Sequence, residues 1–274
     1  MNFIALAGAF LGAGLLAIIY YQLVPPTKVL QVRLRNRPGL DGIFLFLVIA
    51  GVSYGIFAII PGWIALKILA YIFSLLVFES VLLLGFRWIR SNIYAVVLGL
   101  IVAGAAFAGI ILRPSFLLIN TVLIVATLGA TTLLIRLGYL KTRFLFLVAG
   151  LWTIYDVMSV LFIYPKVYVP TTTPTPTILF PAVTVGLLTL GSGDFMFLAI
   201  FALIILRDFG SLPGLLLVGA ETIGLLVTGF FLPEQDFAFP FLVVMTPLFV
   251  LVYWLAWLAR RKQRALTENK QPAP

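Results

Sequence analysis

The acidic residues are the first place to look for chemistry in this chain, because it has no histidine and no cysteine among its 274 residues. These two absences exclude thiol nucleophiles, imidazole bases, disulfides and zinc sites built from cysteine or histidine. Acid–base chemistry must then use Asp, Glu, Lys or Tyr. Ionisable side chains inside long apolar segments are costly and mark functional sites by default. The chain has five of them: Lys67, Glu79, Asp156, Asp194 and Glu221.

Asp156 and Asp194 differ from the other three residues because each lies at the same sequence distance from a basic residue. Asp156 lies thirteen residues after Arg143, and Asp194 lies thirteen residues before Arg207. At about 1.5 Å per helical residue, each aspartate is roughly 20 Å from its basic anchor. The two segments are expected to run in opposite directions, so the carboxylates lie at one depth and meet if the helices touch.

Two carboxylates in contact in a medium of low dielectric constant cannot both ionise, so the pair shares one proton. The ionised partner can act as a general base on a water molecule. The protonated partner can polarise a peptide carbonyl and later donate a proton to the leaving nitrogen. This is the chemistry of an aspartic protease, and it requires neither a metal ion nor a cofactor.

The immediate neighbours of the two aspartates suit such a site. Gly191, Ser192 and Gly193 precede Asp194, and small residues let another backbone approach closely or let a helix loosen. Tyr155 precedes the other aspartate, and its hydroxyl could orient a carboxylate or line the way in. The alternative for these glycines is ordinary helix packing, and for the tyrosine a plain packing role.

The elements that position these residues must lie in a membrane. The chain is 63% hydrophobic and 10% charged, with a mean hydropathy of +1.19, whereas soluble domains are about half apolar and a quarter charged. Backbone in hydrocarbon must form helices or a closed barrel. The apolar runs are continuous rather than alternating, which favours helices.

We predict an all-α membrane protein with nine transmembrane helices. It forms one integral membrane unit, with spans one to five in residues 1–142 and spans six to nine plus a short tail in residues 143–274. The apolar N-terminus lacks a basic region and predicts a first span rather than a cleaved signal peptide. The predicted spans are residues 2–24, 40–60, 62–85, 93–112, 116–136, 144–164, 179–205, 213–232 and 238–259.

Basic residues concentrate in alternate loops, which accounts for the net charge of +9 without a nucleic-acid partner. The odd-numbered loops and the tail hold most of the Lys and Arg, whereas the even-numbered loops hold Arg113, Lys166 and the acids Glu234 and Asp236. The positive-inside rule then predicts an extracytoplasmic N-terminus and a cytoplasmic C-terminus. The polar tail, residues 260–274, is expected to be disordered beyond the last helix.

Three motifs in the last four spans carry a family likeness. They are Tyr-Asp at 155–156, Gly-Ser-Gly-Asp at 191–194 and Pro-Phe-Leu at 240–242. The first two look like the YD and GxGD motifs of the presenilin and signal-peptide-peptidase family, some members of which are archaeal. The third occupies the place of the family's Pro-Ala-Leu motif, with phenylalanine in the middle position. Spans one to five offer no family motif.

The resemblance implies a nine-span intramembrane aspartyl protease whose substrates are transmembrane segments of membrane proteins or signal peptides. It implies that Asp156 and Asp194 are catalytic and that the other motif residues support the site or bind substrate. The predicted N-terminal orientation is similar to that of signal peptide peptidase and the reverse of that of presenilin. The short loop between spans six and seven implies that the chain does not cleave itself. The implied supporting residues are Tyr155, Gly191, Ser192, Gly193, Pro240, Phe241 and Leu242.

A substrate helix is thought to unwind in this family and to pair as a strand near the active site. Residues 165–178 are too rich in proline and β-branched residues to be helical. Within them, Val167–Val169 is expected to form a short strand that could receive a substrate by β-augmentation.

Other functions stay open at this point. The aspartates could join helices by hydrogen bonds or relay ions in a proton- or ion-coupled transporter, in which intramembrane acids are also expected. A prepilin-type peptidase also uses a GxGD motif but has fewer spans, and a non-catalytic scaffold with a relic site is a further alternative. Glu79 and Glu221 are expected to be structural, and Lys67 is expected to extend to the membrane interface. The sequence does not specify an oligomeric state.

Overall fold

A computed structural model describes residues 2–24, 62–89, 91–136, 138, 140, 142–158, 160–161, 182–185, 188–231 and 240–268. These residues form eight α-helices and one antiparallel hairpin. The N-terminal half contributes α1 to α4, and the C-terminal half contributes α5, the hairpin and α6 to α8. The elements are α1 Asn2–Leu23, α2 Gly62–Trp88, α3 Asn92–Leu112, α4 Phe116–Arg136, α5 Thr142–Met158, β1 Ala182–Val185, β2 Leu188–Gly191, α6 Ser192–Phe209, α7 Ser211–Phe231 and α8 Leu242–Glu268.

Six of these helices are long and apolar enough to cross a membrane, which confirms the prediction of an α-helical integral membrane protein. They are α1 to α4, α7 and α8. Helix α5 is apolar but shorter. Helix α6 carries three charged residues in its 18, namely Asp194, Arg207 and Asp208.

The predicted boundaries of the first, third, fourth, fifth and eighth spans agree with the observed helices to within a few residues. Helix α5 overlaps the predicted sixth span. The predicted second span, residues 40–60, and the predicted strand Val167–Val169 lie outside the described residues.

The predicted seventh span was wrong at its start. Residues 179–205 were expected to be one helix, but Ala182–Val185 pairs antiparallel with Leu188–Gly191, and the helix begins only at Ser192. The physical reason is the run of β-branched residues in β1, which favours extended backbone. Apolar composition alone did not separate this hairpin from a helical span.

The predicted disorder of the tail, residues 260–274, was wrong for residues 260–268, because α8 continues to Glu268; residues 269–274 lie outside the described residues. Residues 260–266 are mainly Arg, Lys, Gln, Ala and Leu, which have high helix propensity. An α-helix that leaves an apolar environment through such a sequence has no reason to end at the interface.

Helix α6 is the centre of the bundle. From Phe197 to Leu206 every side chain is buried, and α6 contacts α1, α4, α7 and α8. Helix α3, in contrast, packs mainly against α2 and α4 and exposes most of its apolar surface. The central position of α6 fixes the environment of Asp194 in its first turn.

Arginines collect at one end of the bundle. Arg136 of α4 donates to the carbonyls of Tyr21 and Val24 at 2.8 and 2.9 Å, and Arg87 of α2 donates to the carbonyl of Leu23. These bonds satisfy carbonyls that the C-terminal turn of α1 leaves without partners. The C-terminal ends of α1, α2 and α4 therefore lie at the same end of the molecule.

Candidate active site

Contacts between α5 and α6 set the two aspartates opposite each other. The hydroxyl of Thr142 donates to Asp208 Oδ2 at 2.7 Å, and these residues lie fourteen positions before Asp156 and fourteen after Asp194. Nearer the aspartates, the ring of Trp152 meets that of Phe197 edge-on, with centroids 5.6 Å apart. The helices are thus antiparallel in the register that the spacing from the basic residues predicted.

The two carboxylates are close enough to interact electrostatically. The charge of Asp156 acts directly on Asp194. Both side chains are partly buried. Like charges at short range in a medium of low dielectric constant are strongly unfavourable, and one shared proton relieves the repulsion.

Asp194 lies in the first turn of α6, and its carboxylate accepts a hydrogen bond from the backbone N–H of Gly191. Gly191 is also the N-cap residue and the last residue of β2. A Cβ atom at Gly191 would lie 3.3 Å from Asp194 Oδ2. The last residue of the hairpin therefore lies beside the carboxylate of Asp194. This carboxylate is at the N-terminus of α6, and a helix N-terminus favours negative charge.

Asp156 is held by the last helix. Its Oδ2 accepts a hydrogen bond from the backbone N–H of Leu242 at 3.1 Å. Leu242 is the first residue of α8 and the last residue of the Pro-Phe-Leu motif. A second contact between the same helices, the 2.8 Å hydrogen bond between the hydroxyls of Thr153 and Thr246, fixes their register. The third motif is thus in contact with the aspartate pair through its main chain.

Phe241, the residue that departs from the family motif, is a core side chain. It is 2% exposed and packs edge-on against Phe10 of α1, with ring centroids 5.6 Å apart. Phe10 in turn meets Phe195, which follows Asp194, at 5.4 Å. These three rings join α1, α6 and the start of α8 through residues adjacent in sequence to Asp194 and to Leu242.

The small residues before Asp194 leave open space. Gly193 is exposed, and a Cβ atom placed on it would meet none of the described residues within 4 Å. Gly191 is exposed as well. These glycines therefore do not serve close helix packing within the described chain, which was the alternative reading of the motif. Ser192 begins α6, and its side chain lies outside the described residues; Pro240 is half-buried just before α8.

Tyr155 has an aromatic environment. Its ring packs edge-on against Trp152 with centroids 5.2 Å apart, and Trp152 continues the contact to α6. Within the described residues, Tyr155 therefore packs on Trp152 and helps to hold α5 against α6.

A polar cluster that the sequence did not predict joins the start of α5, the end of α6 and the middle of α8. Arg207 forms an ion pair with Asp208 at 2.8 Å and donates to Thr142 and to the carbonyl of Leu140. Tyr253 of α8 reaches the same aspartate at 3.5 Å. The adjacent opposite charges at 207 and 208 were the available signal. We call Thr142, Arg207, Asp208 and Tyr253 the polar clamp.

The remaining intramembrane ionisable residues are separate from this site. Glu221 is fully buried in α7, and within the described chain neither carboxyl oxygen has a hydrogen-bond partner. Glu79 is half-buried in α2, and Lys67 is exposed near the start of the same helix. In the part of the chain that the structure describes, no three acidic side chains converge as metal ligands would.

Comparison with known proteins adds no family assignment. No protein-family model matches the chain, and no curated protein matches it significantly.

Proposed function

We propose that this protein is an intramembrane aspartyl endopeptidase that hydrolyses peptide bonds within transmembrane segments or signal peptides. The observation that carries the proposal is the pairing of Asp156 with Asp194 across antiparallel helices. Each carboxylate accepts one backbone N–H, from Leu242 and from Gly191 respectively. Two interacting carboxyl groups inside a membrane protein without histidine or cysteine are suited to acid–base hydrolysis.

The reaction follows from the shared proton. The ionised carboxylate removes a proton from water, and the hydroxide so formed attacks the scissile carbonyl carbon. The protonated carboxyl donates a hydrogen bond to the carbonyl oxygen as it becomes negative. In the second step a proton passes to the amide nitrogen, the C–N bond breaks, and the products are a carboxylic acid and an amine.

A substrate must present an extended backbone to the aspartates, since a helix hides its peptide groups. The open space at Gly193 and the strand β2, which ends at Gly191 beside Asp194, provide room and an edge for such a segment. The strand β2 is therefore a candidate for pairing with a substrate beside the predicted strand Val167–Val169, which lies outside the described residues. An added strand would obtain main-chain hydrogen bonds while lying against the site.

The nine-span, presenilin-like topology and the membrane orientation belong to the same proposal. The six apolar helices together with α5 and α6 account for eight of the nine predicted spans. The missing one is the second span, which residues 40–60 would supply. The clustering of Arg87 and Arg136 at one end of the bundle, together with the positive-inside rule, supports a cytoplasmic location for that end. The N-terminus of α1 would then be extracytoplasmic, as in signal peptide peptidase.

The test is cleavage of single-span model substrates by the purified full-length protein in detergent. We expect cleavage by the wild type, none by Asp194→Asn, and normal cleavage by Glu221→Gln, which neutralises another buried acid by the same chemical change. Cleavage by Asp194→Asn at the wild-type rate would overturn the assignment.

One observation favours a second candidate, an ion-coupled transporter. Glu221 is fully buried and has no described hydrogen-bond partner, and such a residue in a membrane protein often serves proton or ion movement. Proton flux in liposomes that is lost in Glu221→Gln, together with no proteolysis by the wild type, would support the transporter instead.

A further inference from the structure

We propose that an open cavity between the C-terminal end of α6 and the middle of α8, remote from the aspartates, binds the headgroup of an anionic phospholipid. The cavity measures about 360 Å³, within the range of about 300–1,000 Å³ typical of small-molecule sites. It lies at the C-terminal end of α6, whereas Asp194 lies in the first turn. Its walls are Arg207, Asp208, Phe209, Tyr253, Trp257 and Arg260.

The walls of the cavity carry an excess of positive charge. The carboxylate of Asp208 is already engaged by Arg207 at 2.8 Å and by the hydroxyl of Thr142 at 2.7 Å. Arg260 is exposed, and its described hydrogen bond goes to the main-chain carbonyl of Asp208. A guanidinium has five N–H donors, so Arg260 retains capacity for an anionic ligand, and phosphate is the anion that its planar fork suits best.

The surface that leads away from the cavity along α8 is apolar and exposed. Val250, Trp254 and Trp257 are 43%, 53% and 43% exposed, and their spacing places them along one side of the helix. Trp257 also receives the guanidinium of Arg261, 5.5 Å from its ring centroid. Tryptophan and arginine together near the end of an apolar span are typical of the membrane interface. A ligand that fits both parts has a phosphate at one end and acyl chains at the other.

A soluble anion would use only the charged part of this surface. Basic pockets between transmembrane helices are known as headgroup sites for anionic lipids. The inference rests on the cavity and its charges and does not depend on the proposed proteolysis.

The test uses the full-length protein in nanodiscs of phosphatidylcholine, with phosphatidylglycerol added as the probe and binding followed by thermal unfolding and by native mass spectrometry. We expect phosphatidylglycerol to bind and to raise the unfolding temperature, whereas inorganic phosphate and additional phosphatidylcholine do not. Arg260→Gln should weaken binding about tenfold, because a charge-assisted hydrogen bond is lost. Lys262→Gln, an equal charge change at an exposed α8 residue outside the cavity, should bind as the wild type does.

Equal weakening by Arg260→Gln and Lys262→Gln would overturn the site in favour of diffuse surface attraction. An equal effect of inorganic phosphate and phosphatidylglycerol would overturn the lipid assignment. Because Arg260→Gln also removes a bond to α6, Trp257→Leu provides a second variant that keeps every charge. Binding unchanged in Trp257→Leu would contradict the proposed acyl-chain contact, and severalfold weaker binding would support it.

Discussion

A pair of hydroxyls and a pair of carboxylates inside the helix bundle differ in how fully their hydrogen bonds are satisfied. Between α1, α2 and α4, the buried hydroxyl of Tyr20 donates to the carbonyl of Ser80 at 2.6 Å, and the hydroxyl of Ser80 donates to the carbonyl of Val125 at 2.7 Å. Between α5, α6 and α8, Asp156 and Asp194 are partly exposed, interact with each other and accept one described backbone hydrogen bond each.

The difference separates a structural polar group from a reactive one. A buried hydroxyl that donates to a carbonyl on another helix fixes the helices and has used its one proton, so it has none left to donate to a substrate. Gly129 of α4 shows how tight that contact is, because a Cβ atom there would lie 1.9 Å from Ser80 Oγ. The carboxylates have unused acceptor positions and open space at Gly193. A polar side chain within a membrane protein is therefore not sufficient evidence of function. A polar side chain that has unused hydrogen-bonding capacity and lies beside open space is stronger evidence.

The largest expected effect is loss of proteolysis in Asp156→Asn and Asp194→Asn. Each change removes the proton relay, so cleavage should fall by about a thousandfold or more, since general acid–base groups contribute about 10² to 10⁴ each. Folding should be retained, because the amide can accept the same backbone hydrogen bond and the repulsion between carboxylates disappears. Cleavage of a single-span substrate measures activity, and thermal unfolding in detergent measures stability. If both fell together, the aspartates would be structural, as the hydroxyls of Tyr20 and Ser80 are.

The opposite pattern is expected for Ser80→Val. The carbonyl of Val125 loses the donor that comes from another helix but keeps its helical N–H partner, so the free energy of unfolding should fall by about 0.5–1.5 kcal/mol. Cleavage per folded molecule should not change. Thr121→Val is the matched control, because Thr121 is an exposed residue of α4 whose hydroxyl bonds within its own helix. Ser80→Val and Thr121→Val with equal stabilities would show that the inter-helix bond contributes nothing.

The polar clamp should affect activity only by holding α5 and α6, and so the two aspartates, in position. Thr142→Val removes the 2.7 Å bond to Asp208 and loosens the register between α5 and α6. We expect cleavage to fall about tenfold, since misplacement of catalytic groups by about 1 Å can cost a hundredfold. The pH profile should keep its shape because the carboxylates themselves are unchanged. A pH optimum that moves in Thr142→Val would mean that the clamp does more than position the helices.

The smallest effect is expected for Tyr155→Phe. The described contact of Tyr155 is made by its ring, against Trp152, so removal of the hydroxyl should change the cleavage rate by less than about twofold, as for a surface or packing change without a lost bond. Tyr155→Ala, which removes the ring, should be clearly worse. Steady-state cleavage rates would show whether Tyr155→Phe behaves like Tyr155→Ala, a result that would give the hydroxyl a direct role.

Apolar length and charge spacing predicted most of the helices because lipid imposes a simple length rule on continuous apolar segments. The equal spacing of Asp156 and Asp194 from basic residues was informative for the same reason, since antiparallel helices preserve axial depth. The rule failed at residues 182–191, where β-branched apolar residues form a hairpin of equally hydrophobic composition. The length rule also could not predict the hydrogen bond from the Leu242 N–H to Asp156, because that bond depends on how α8 packs against α5.

The central claim is that the two aspartates form one catalytic unit, and binding of a transition-state mimic tests it without knowledge of the substrate. A hydrophobic peptide with a hydroxyethylene group in place of one peptide bond resembles the tetrahedral intermediate, and such mimics bind about 10² to 10⁸ times more tightly than substrates. We predict tight binding to the wild type and to Glu221→Gln, and at least about a hundredfold weaker binding to Asp156→Asn and to Asp194→Asn. Equal affinity for all four proteins would contradict the account.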